Sequence, residues 1–416
     1  MKKFLLIIVV VLMMSLALAA CGNSGGKSGD GASGNITFFY WDDGQRPAMD
    51  AVIEVMKTFA PDVNVESTVI PWGQYWTTLQ VNLTSASEPD VFWVNKNYSM
   101  DYFPAGLAEP IKDYVDRDNI DMSVFPSALV DLYTYDGKLH AIPKDFDTIA
   151  LFYNKALFDS AGVAYPTNDW SWDDLLEAAI SLTGDGVWGL GLSPWGQGLA
   201  YPFILSNGGS VTTSDNRMFD FDNAGAIGAL QWIVDAIYVH GISPDGPSLL
   251  EMDSFERFQA GQVAMQTGGS WSTGTYAEML GDNLGVARLP ISQKEANVIH
   301  GLGITMSARS ENKEAAWQLQ KAFTMKEAGE AQAIAVIPAY TGAEAVWVNN
   351  FPSLDLQVFI DAAQIATPIP AASVNAGAQV AAVEDMFQRI WLKDEDVQTA
   401  VARLAEEVAA LVAAAG

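Results

Sequence analysis

Cysteine is almost missing from this chain: Cys21 is the single one in 416 residues. With no second thiol there is no intramolecular disulfide and no thiolate metal cluster, so packed cores must hold the body together. Positive charge is scarce as well. Against 50 Asp and Glu stand 22 Lys and Arg, a formal net charge of −28. Such a surface repels phosphate backbones and anionic headgroups, which excludes nucleic acid as a partner. Histidine occurs at His140, His240 and His300 only, never in a paired or HExxH spacing. Each reads as a core or surface residue, and no metal site is expected. There is no GxxxxGK(S/T) phosphate loop, and "GLGLSPWGQG" lacks the spacing of a dinucleotide turn. "GGSWS" carries serine where a nucleophile elbow needs glycine. The expectation is a protein without cofactor, metal or catalytic residues. Past residue 20 no run of about 18 apolar residues exists, and no tandem repeat is visible.

What is present begins at the start of the chain. Met1-Lys2-Lys3 is a basic opening, and Phe4 to Ala20 is apolar and ends in small residues, the pattern of a secretory signal. About 17 apolar residues also reach the lower limit of a membrane span. Leu18-Ala19-Ala20-Cys21 favours the signal, because it resembles the lipobox of bacterial lipoproteins. That resemblance implies cleavage before Cys21 and lipid on its thiol, the sole membrane contact expected. Residues 1–20 are then signal peptide. Residues 21–35 are a lipidated cysteine and a glycine- and serine-rich tether, flexible by composition.

Half the chain is apolar and 11% is aromatic, which fits a globular body with room for two or three domains. Asn35 to Trp41 is a β-rich run. Pro47 opens a helix on which Met49, Val52, Ile53, Met56 and Phe59 share a face, and Pro61 stops it. Val63, Val65, Ser67 and Val69 alternate as a strand. A helix over Gln74–Thr84 and a strand over Asp90–Asn95 follow. Such alternation of strand and helix points to parallel sheets covered by helices. The grammar recurs in "TIALFYN" (148–154), "QVAMQTGGSW" and "HGLGITMS". Ser171 with Asp174 is a capping box, Ser310 caps a later helix, and Ile227 to Tyr238 is another. Val397, Val401, Leu404, Val408 and Leu411 trace a terminal helix docked on the body. Two α/β lobes result.

Aromatic, acidic and amide residues gather where strands end: Trp41-Asp42-Asp43, Asn95-Lys96-Asn97-Tyr98, Lys144-Asp145-Phe146-Asp147, and Trp271 after "TGGS". Ligands of open α/β sheets lie at the carboxyl ends of strands. Aromatic faces beside carboxylates and amides suit a sugar's C–H faces and hydroxyls.

The motifs "SEPDVFWVN", "HAIPKDFDTIALFYNKALFDSAGV", "WSWDDLLEAA", "SNGG", "FQAGQVAMQTGGSW", "ITMSARSENKEAAWQLQKAF" and "IPAYTGA" occur in this order from about Ile36 onward. Together they resemble the extracellular solute-binding proteins of bacterial ABC sugar importers, the maltose-binding-like group. The resemblance implies a two-lobed periplasmic-binding-protein clamshell, each lobe a mostly parallel sheet flanked by helices. It implies one lobe from residues 36–146 and 306–340 and a second from 147–305 and 341–416. Crossings are implied near Asp145–Thr148, Gly303–Ala308 and Ile337–Gly342. It also implies that Trp41, Asp42, Asn95, Asn97, Tyr98, Asp147 and Trp271 face a sugar or oligosaccharide, with Tyr75, Asp145, Trp195 and Tyr340 as further candidates. A monomer serving an ABC permease outside the cytoplasm is the implied role. Pro370 to Val380 holds only small residues where maltose-type proteins carry aromatic platforms, which argues against a maltodextrin. Two other readings fit the same residues: a surface glycoside hydrolase pairing carboxylates from Asp42, Asp43, Asp145 and Asp147, and a polyamine or peptide binder using the cleft acids on amines.

Overall fold

The structure, a computed structural model, describes residues 32–85 and 87–415. The signal, Cys21 and most of the tether lie outside them. Ile36, Phe38 and Tyr40 are buried at every second position, which sets strand β1 (Gly34–Tyr40). Pro47 lies in the first turn of helix α1 (Arg46–Lys57), whose Met49, Val52, Ile53 and Met56 face the core. Next come β2 (Val63–Val69), α2 (Trp72–Leu83) and β3 (Val91–Asn95). Asn95 ends β3 and caps α3 (Lys96–Tyr102), its side chain accepting from Tyr98 N. Strands β4 (Ala141–Asp147) and β5 (Ile149–Asn154) are separated by one residue yet lie in different sheets. Helix α4 (Trp172–Leu182) opens with the expected capping box: Ser171 Oγ accepts from Asp174 N at 3.2 Å, and Asp174 Oδ2 accepts from Ser171 N at 2.8 Å. Strand β6 (Trp188–Gly191), α5 (Ala224–Tyr238), β7 (Val263–Gly269), β8 (Leu284–Ala287) and β9 (Val298–Met306) follow. The chain ends with α6 (Lys313–Ala322), β10 (Ile337–Pro338), α7 (Glu344–Asn349), α8 (Gln357–Ile365), β11 (Thr367–Pro368), α9 (Ala376–Trp391) and α10 (Val397–Ala414).

The first lobe's sheet runs β10-β4-β9-β3-β1-β2, with β11 joined to β9; the second lobe's runs β8-β5-β7-β6. The expected class, two α/β lobes with helices on their sheets, is the architecture found. Strand pairing is more mixed than expected. Pairs β1–β2, β1–β3, β6–β7 and β9–β11 are parallel. Pairs β3–β9, β4–β9, β4–β10, β5–β7 and β5–β8 are antiparallel. Apart from the short β9–β11 pair, strands that carry the chain between lobes run against their neighbours, whereas helix-linked β1, β2 and β3 run together.

The crossings also differ from expectation. The first falls at Thr148, within the expected stretch. The second lies upstream, at residues 288–297, because Gly303 to Met306 sit inside β9, paired with both β3 and β4. The third lies downstream. Ala339 N donates to Lys144 O and Thr341 N to Val124 O, and Asn350 Nδ2 donates to Ala333 O at 2.7 Å, so the first lobe keeps the chain as far as Asn350. The lobe boundaries expected at 305/306 and 340/341 move accordingly. Ser310 is likewise not the cap of α6. That position belongs to Asn312, and Ser310 Oγ accepts from Asn312 N while donating to Asp90.

One residue ties the crossings together. Asn297 is 4% exposed, and its Oδ1 accepts from Ile149 N at 3.0 Å while its Nδ2 donates to Ile149 O at 2.7 Å. Thr148 Oγ1 donates to Phe359 O at 2.8 Å, which adds α8 to the same knot. Helix α10 packs on α9 and α5 through Val397, Val401, Leu404 and Val408, as its apolar stripe requires. Among the described residues, no helix is long and apolar enough to cross a membrane.

Candidate functional site

A cavity of about 600 Å³ opens between the two sheets. Trp41 and Asp42 reach it from the end of β1, Asn95, Asn97 and Tyr98 from the turn of β3 into α3, and Asp145 and Asp147 from the end of β4. The second lobe contributes Trp195 and Gln197 after β6, Phe255, and Ser270 and Trp271 after β7. Strand ends converge here because a strand followed directly by a helix or turn projects its last side chains past the sheet.

Two candidates are not in the lining. Tyr75 is 0% exposed, and its hydroxyl donates to Trp93 O at 2.8 Å and Phe39 O at 3.3 Å, tying α2 to β3 and β1. Its helical neighbour Trp72, one turn earlier and 47% exposed, lines the cavity in its place. Tyr340 packs edge-on against Phe125 with ring centroids 6.3 Å apart, because the chain there is still held on the first lobe. Trp72, Gln197, Phe255, His300 and Glu384 are lining residues that sequence reasoning did not single out.

Aromatic rings form the walls. Trp41 meets Trp72 at 5.2 Å between centroids and Trp93 at 5.1 Å, both edge to face, and Tyr98 stacks on Trp76 at 3.8 Å. On the opposite wall Trp195 meets Trp271 at 5.9 Å and Phe255 at 5.3 Å. Glycine makes room for both indoles. A Cβ on Gly198 would lie 1.7 Å from Trp195, and one on Gly269 would lie 2.0 Å from Trp271. "WGQG" and "GGSW" are therefore seats for tryptophan side chains.

The polar groups are mostly engaged by the protein itself. Asp42 accepts from Gly44 N at 2.9 Å and Gln45 Nε2 at 2.8 Å. Asp145 accepts from Leu302 N at 3.0 Å and from Lys144 Nζ. Lys144, 1% exposed, also donates to Gln45 Oε1 at 2.7 Å and lies 4.4 Å over the Trp93 ring. Asp147 Oδ1 accepts from Gln197 Nε2 at 2.7 Å, and its Oδ2 accepts from His300 Nδ1 at 3.0 Å. Burial pushes the Asp147 carboxyl up, and His300 partly offsets this. Glu384, on α9, is also pushed up by burial. Among the described residues, no Lys or Arg lines the cavity. Asp43, needed by a hydrolase pairing with Asp42, is instead bound to Arg46 at 2.9 Å.

Beside the cavity the lobes touch through α3 and α9. Asn375 precedes α9 in a left-handed conformation and makes no side-chain cap. The cap comes from the other lobe: Asp101 Oδ2 accepts from Gly377 N at 3.0 Å. A Cβ on Gly377 would stand 2.7 Å from that oxygen. Burial raises the Asp101 carboxyl above its ordinary range, against the lowering effect of the Gly377 and Ala376 amides. Loss of an N-cap costs about 0.5–2 kcal/mol. Asp101→Ala should therefore weaken ligand binding by about 2- to 30-fold by loosening the closed arrangement. Asp101→Asn keeps an acceptor without burying a charge and should bind as tightly as the native protein or tighter. Titration calorimetry on the three proteins checks the order; equal affinities would show that the contact does not hold the lobes.

Residues 43–330 match the family described as bacterial extracellular solute-binding protein. The chain belongs to that family. Among relatives of this solute-binding protein is a galactooligosaccharide-binding protein of Bacillus subtilis, 25% identical over 319 residues, 73% of this chain and 72% of that protein. An arabinooligosaccharide-binding protein of Halalkalibacterium halodurans is 27% identical over 268 residues, 62% of this chain and 59% of that one. A Brucella abortus protein named only as a binding protein is 24% identical over 282 residues, and the match spans 66% of its length. An ABC substrate-binding protein of Listeria monocytogenes in complex with cycloalternan superposes with TM-score 0.84 at 23% identity, over 90% of this chain and 98% of that one. A Thermotoga lettingae ABC transporter solute-binding protein bound with α-D-tagatose gives TM-score 0.81 at 21% identity, over 91% and 100%. These structural likenesses establish the shared fold.

Proposed function

We propose that this solute-binding protein captures a neutral sugar or oligosaccharide in the interlobe cavity and delivers it to the permease of an ABC importer. The carrying observation is the pairing of tryptophan walls, Trp41 and Trp72 facing Trp195 and Trp271, around a polar floor with no Lys or Arg among the described residues. Indoles cover sugar C–H faces, and an acidic lining repels phosphorylated or carboxylated ligands. The sugar-binding names of the Bacillus and Halalkalibacterium relatives support the same class. The protein works as a monomer outside the cytoplasm, held to the cell membrane by lipid on Cys21, which keeps it concentrated near its permease. Trp41, Asp42, Asn95, Asn97, Tyr98, Asp145, Asp147, Trp195 and Trp271 form the ligand surface in this reading.

The test is a calorimetric panel of galactobiose, arabinobiose, maltotriose, sugar phosphates, polyamines and short peptides. Neutral sugars should bind, and scattering on the saturated protein should show a smaller radius of gyration, because a ligand touching both lobes favours the closed state. Binding of polyamines or peptides in place of sugars would overturn the reading, and new reducing ends would convert it to a hydrolase. For the anchor, Cys21→Ala should abolish palmitate labelling and release the protein from the membrane fraction. Labelling equal to the native protein would refute the lipobox.

A further inference from the structure

Asp147 stands at the first crossing, yet both of its oxygens already accept hydrogen bonds, from Gln197 Nε2 and from His300 Nδ1. An ionised carboxylate only accepts, so the partner nitrogen of His300 carries the proton. In the neutral ring the other nitrogen is a lone-pair acceptor. His300 is 5% exposed and lines the cavity, and its Nε2 is buried with no hydrogen-bond partner. A buried acceptor without a protein partner is one that a ligand donor would satisfy. A second atom shares the condition: Asn97 lines the cavity from the first turn of α3, and its Oδ1 is buried and unpartnered. The two differ in kind from Asp42 and Asp145, whose oxygens are held by neighbouring protein groups.

We infer that His300 is a ligand-binding and specificity-determining residue, its Nε2 accepting a hydrogen bond from a ligand hydroxyl. Asp147 acts behind it as a positioning residue, fixing the tautomer and the ring plane. The register supports this division, since His300 and Asp147 are direct partners across β9 and β4. Gln197 reaches Asp147 from the second lobe, so one of the two hydrogen bonds on the carboxylate that orients the imidazole spans the lobes. Asn97 Oδ1 provides the same demand from α3. A ligand satisfying both must present at least two donors, as a polyol does and a phosphodiester does not. The assignment rests on the sugar reading proposed above.

Two isosteric variants separate the roles. In His300→Asn the amide nitrogen replaces Nδ1, keeping a donor for Asp147 and deleting the Nε2 acceptor. In His300→Gln the amide reaches the Nε2 position and gives up the Asp147 contact. With galactobiose, arabinobiose and maltotriose as probes, His300→Asn should bind about tenfold more weakly with an unchanged melting temperature, and His300→Gln should bind better than His300→Asn. A set of monodeoxy analogues of the sugar that binds should contain one whose loss of affinity in the native protein disappears in His300→Asn. On saturation, the nitrogen-15 resonance of Nε2 should shift while that of Nδ1 stays in place. If none of the sugars binds the native protein, the sugar reading falls and takes this assignment with it. If a sugar binds the native protein and His300→Asn equally, or Nε2 does not respond, the role of His300 alone is overturned.

Discussion

Replacing Asn297 by alanine is expected to lower stability by about 2–4 kcal/mol, among the largest effects of any polar substitution in this chain. The side chain supplies a donor and an acceptor to the backbone of Ile149, at 2.7 and 3.0 Å, and its Oδ1 also accepts from Val298 N at 3.0 Å. Alanine would leave these buried groups without partners. Each unsatisfied group costs about 1–3 kcal/mol, reduced where water enters. Asn297→Asp should be no better, because an oxygen would then face the carbonyl of Ile149. Chemical denaturation measures the loss, and the native value in Asn297→Ala would show that the crossing is held by other contacts. The same variant should also close less sharply on ligand, since Ile149 follows directly on the first crossing.

The second large effect is on binding. Trp271→Ala is expected to weaken sugar affinity by about 1.5–3 kcal/mol, roughly ten- to a hundredfold. The indole lies past the end of β7, over Gly269 and edge-on to Trp195, half-buried against the second lobe's core. Its stability loss should stay well below the roughly 3–5 kcal/mol of an emptied core tryptophan site. Gly269→Ala provides a control that leaves the indole in the chain but forces it from its seat, because the added methyl would fall 2.0 Å from the ring. Calorimetry and denaturant unfolding on both variants decide the matter. Undiminished affinity with a large loss of stability would make Trp271 a core residue.

Local features were readable from sequence because their causes are local. Pro47, the Ser171–Asp174 box and the stripe from Val397 to Val408 each declare themselves within a few residues. The strand ends bearing Trp41, Asn95, Asp147 and Trp271 were legible for the same reason. What escaped depends on distant partners. His300 looked solitary because the carboxylate that gives it meaning lies 153 positions away, and Asp101 and Gly377 are 276 apart. The helix expected over Gln74–Thr84 carried Tyr75 but left out Trp72, which opens the helix found, Trp72–Leu83, and helical period could not decide which turn would meet the sheet. Nor could it say that β9 belongs wholly to the first lobe, since an apolar strand reads the same in either sheet.

The packing of Trp41, Trp72, Trp76 and Trp93 has an optical consequence. Trp41 lies within 5.1 to 5.5 Å of each of the other three, at differing tilts. Rings this close share their electronic excitations, so the cluster should give a strong near-ultraviolet dichroic couplet. Trp72, 47% exposed, is the member most open to solvent at the cavity, and a solute covering it would exclude water there and alter its emission. The protein therefore carries a built-in chromophore array on one wall of its cleft, and occupancy can be read from light alone, with no label on protein or solute.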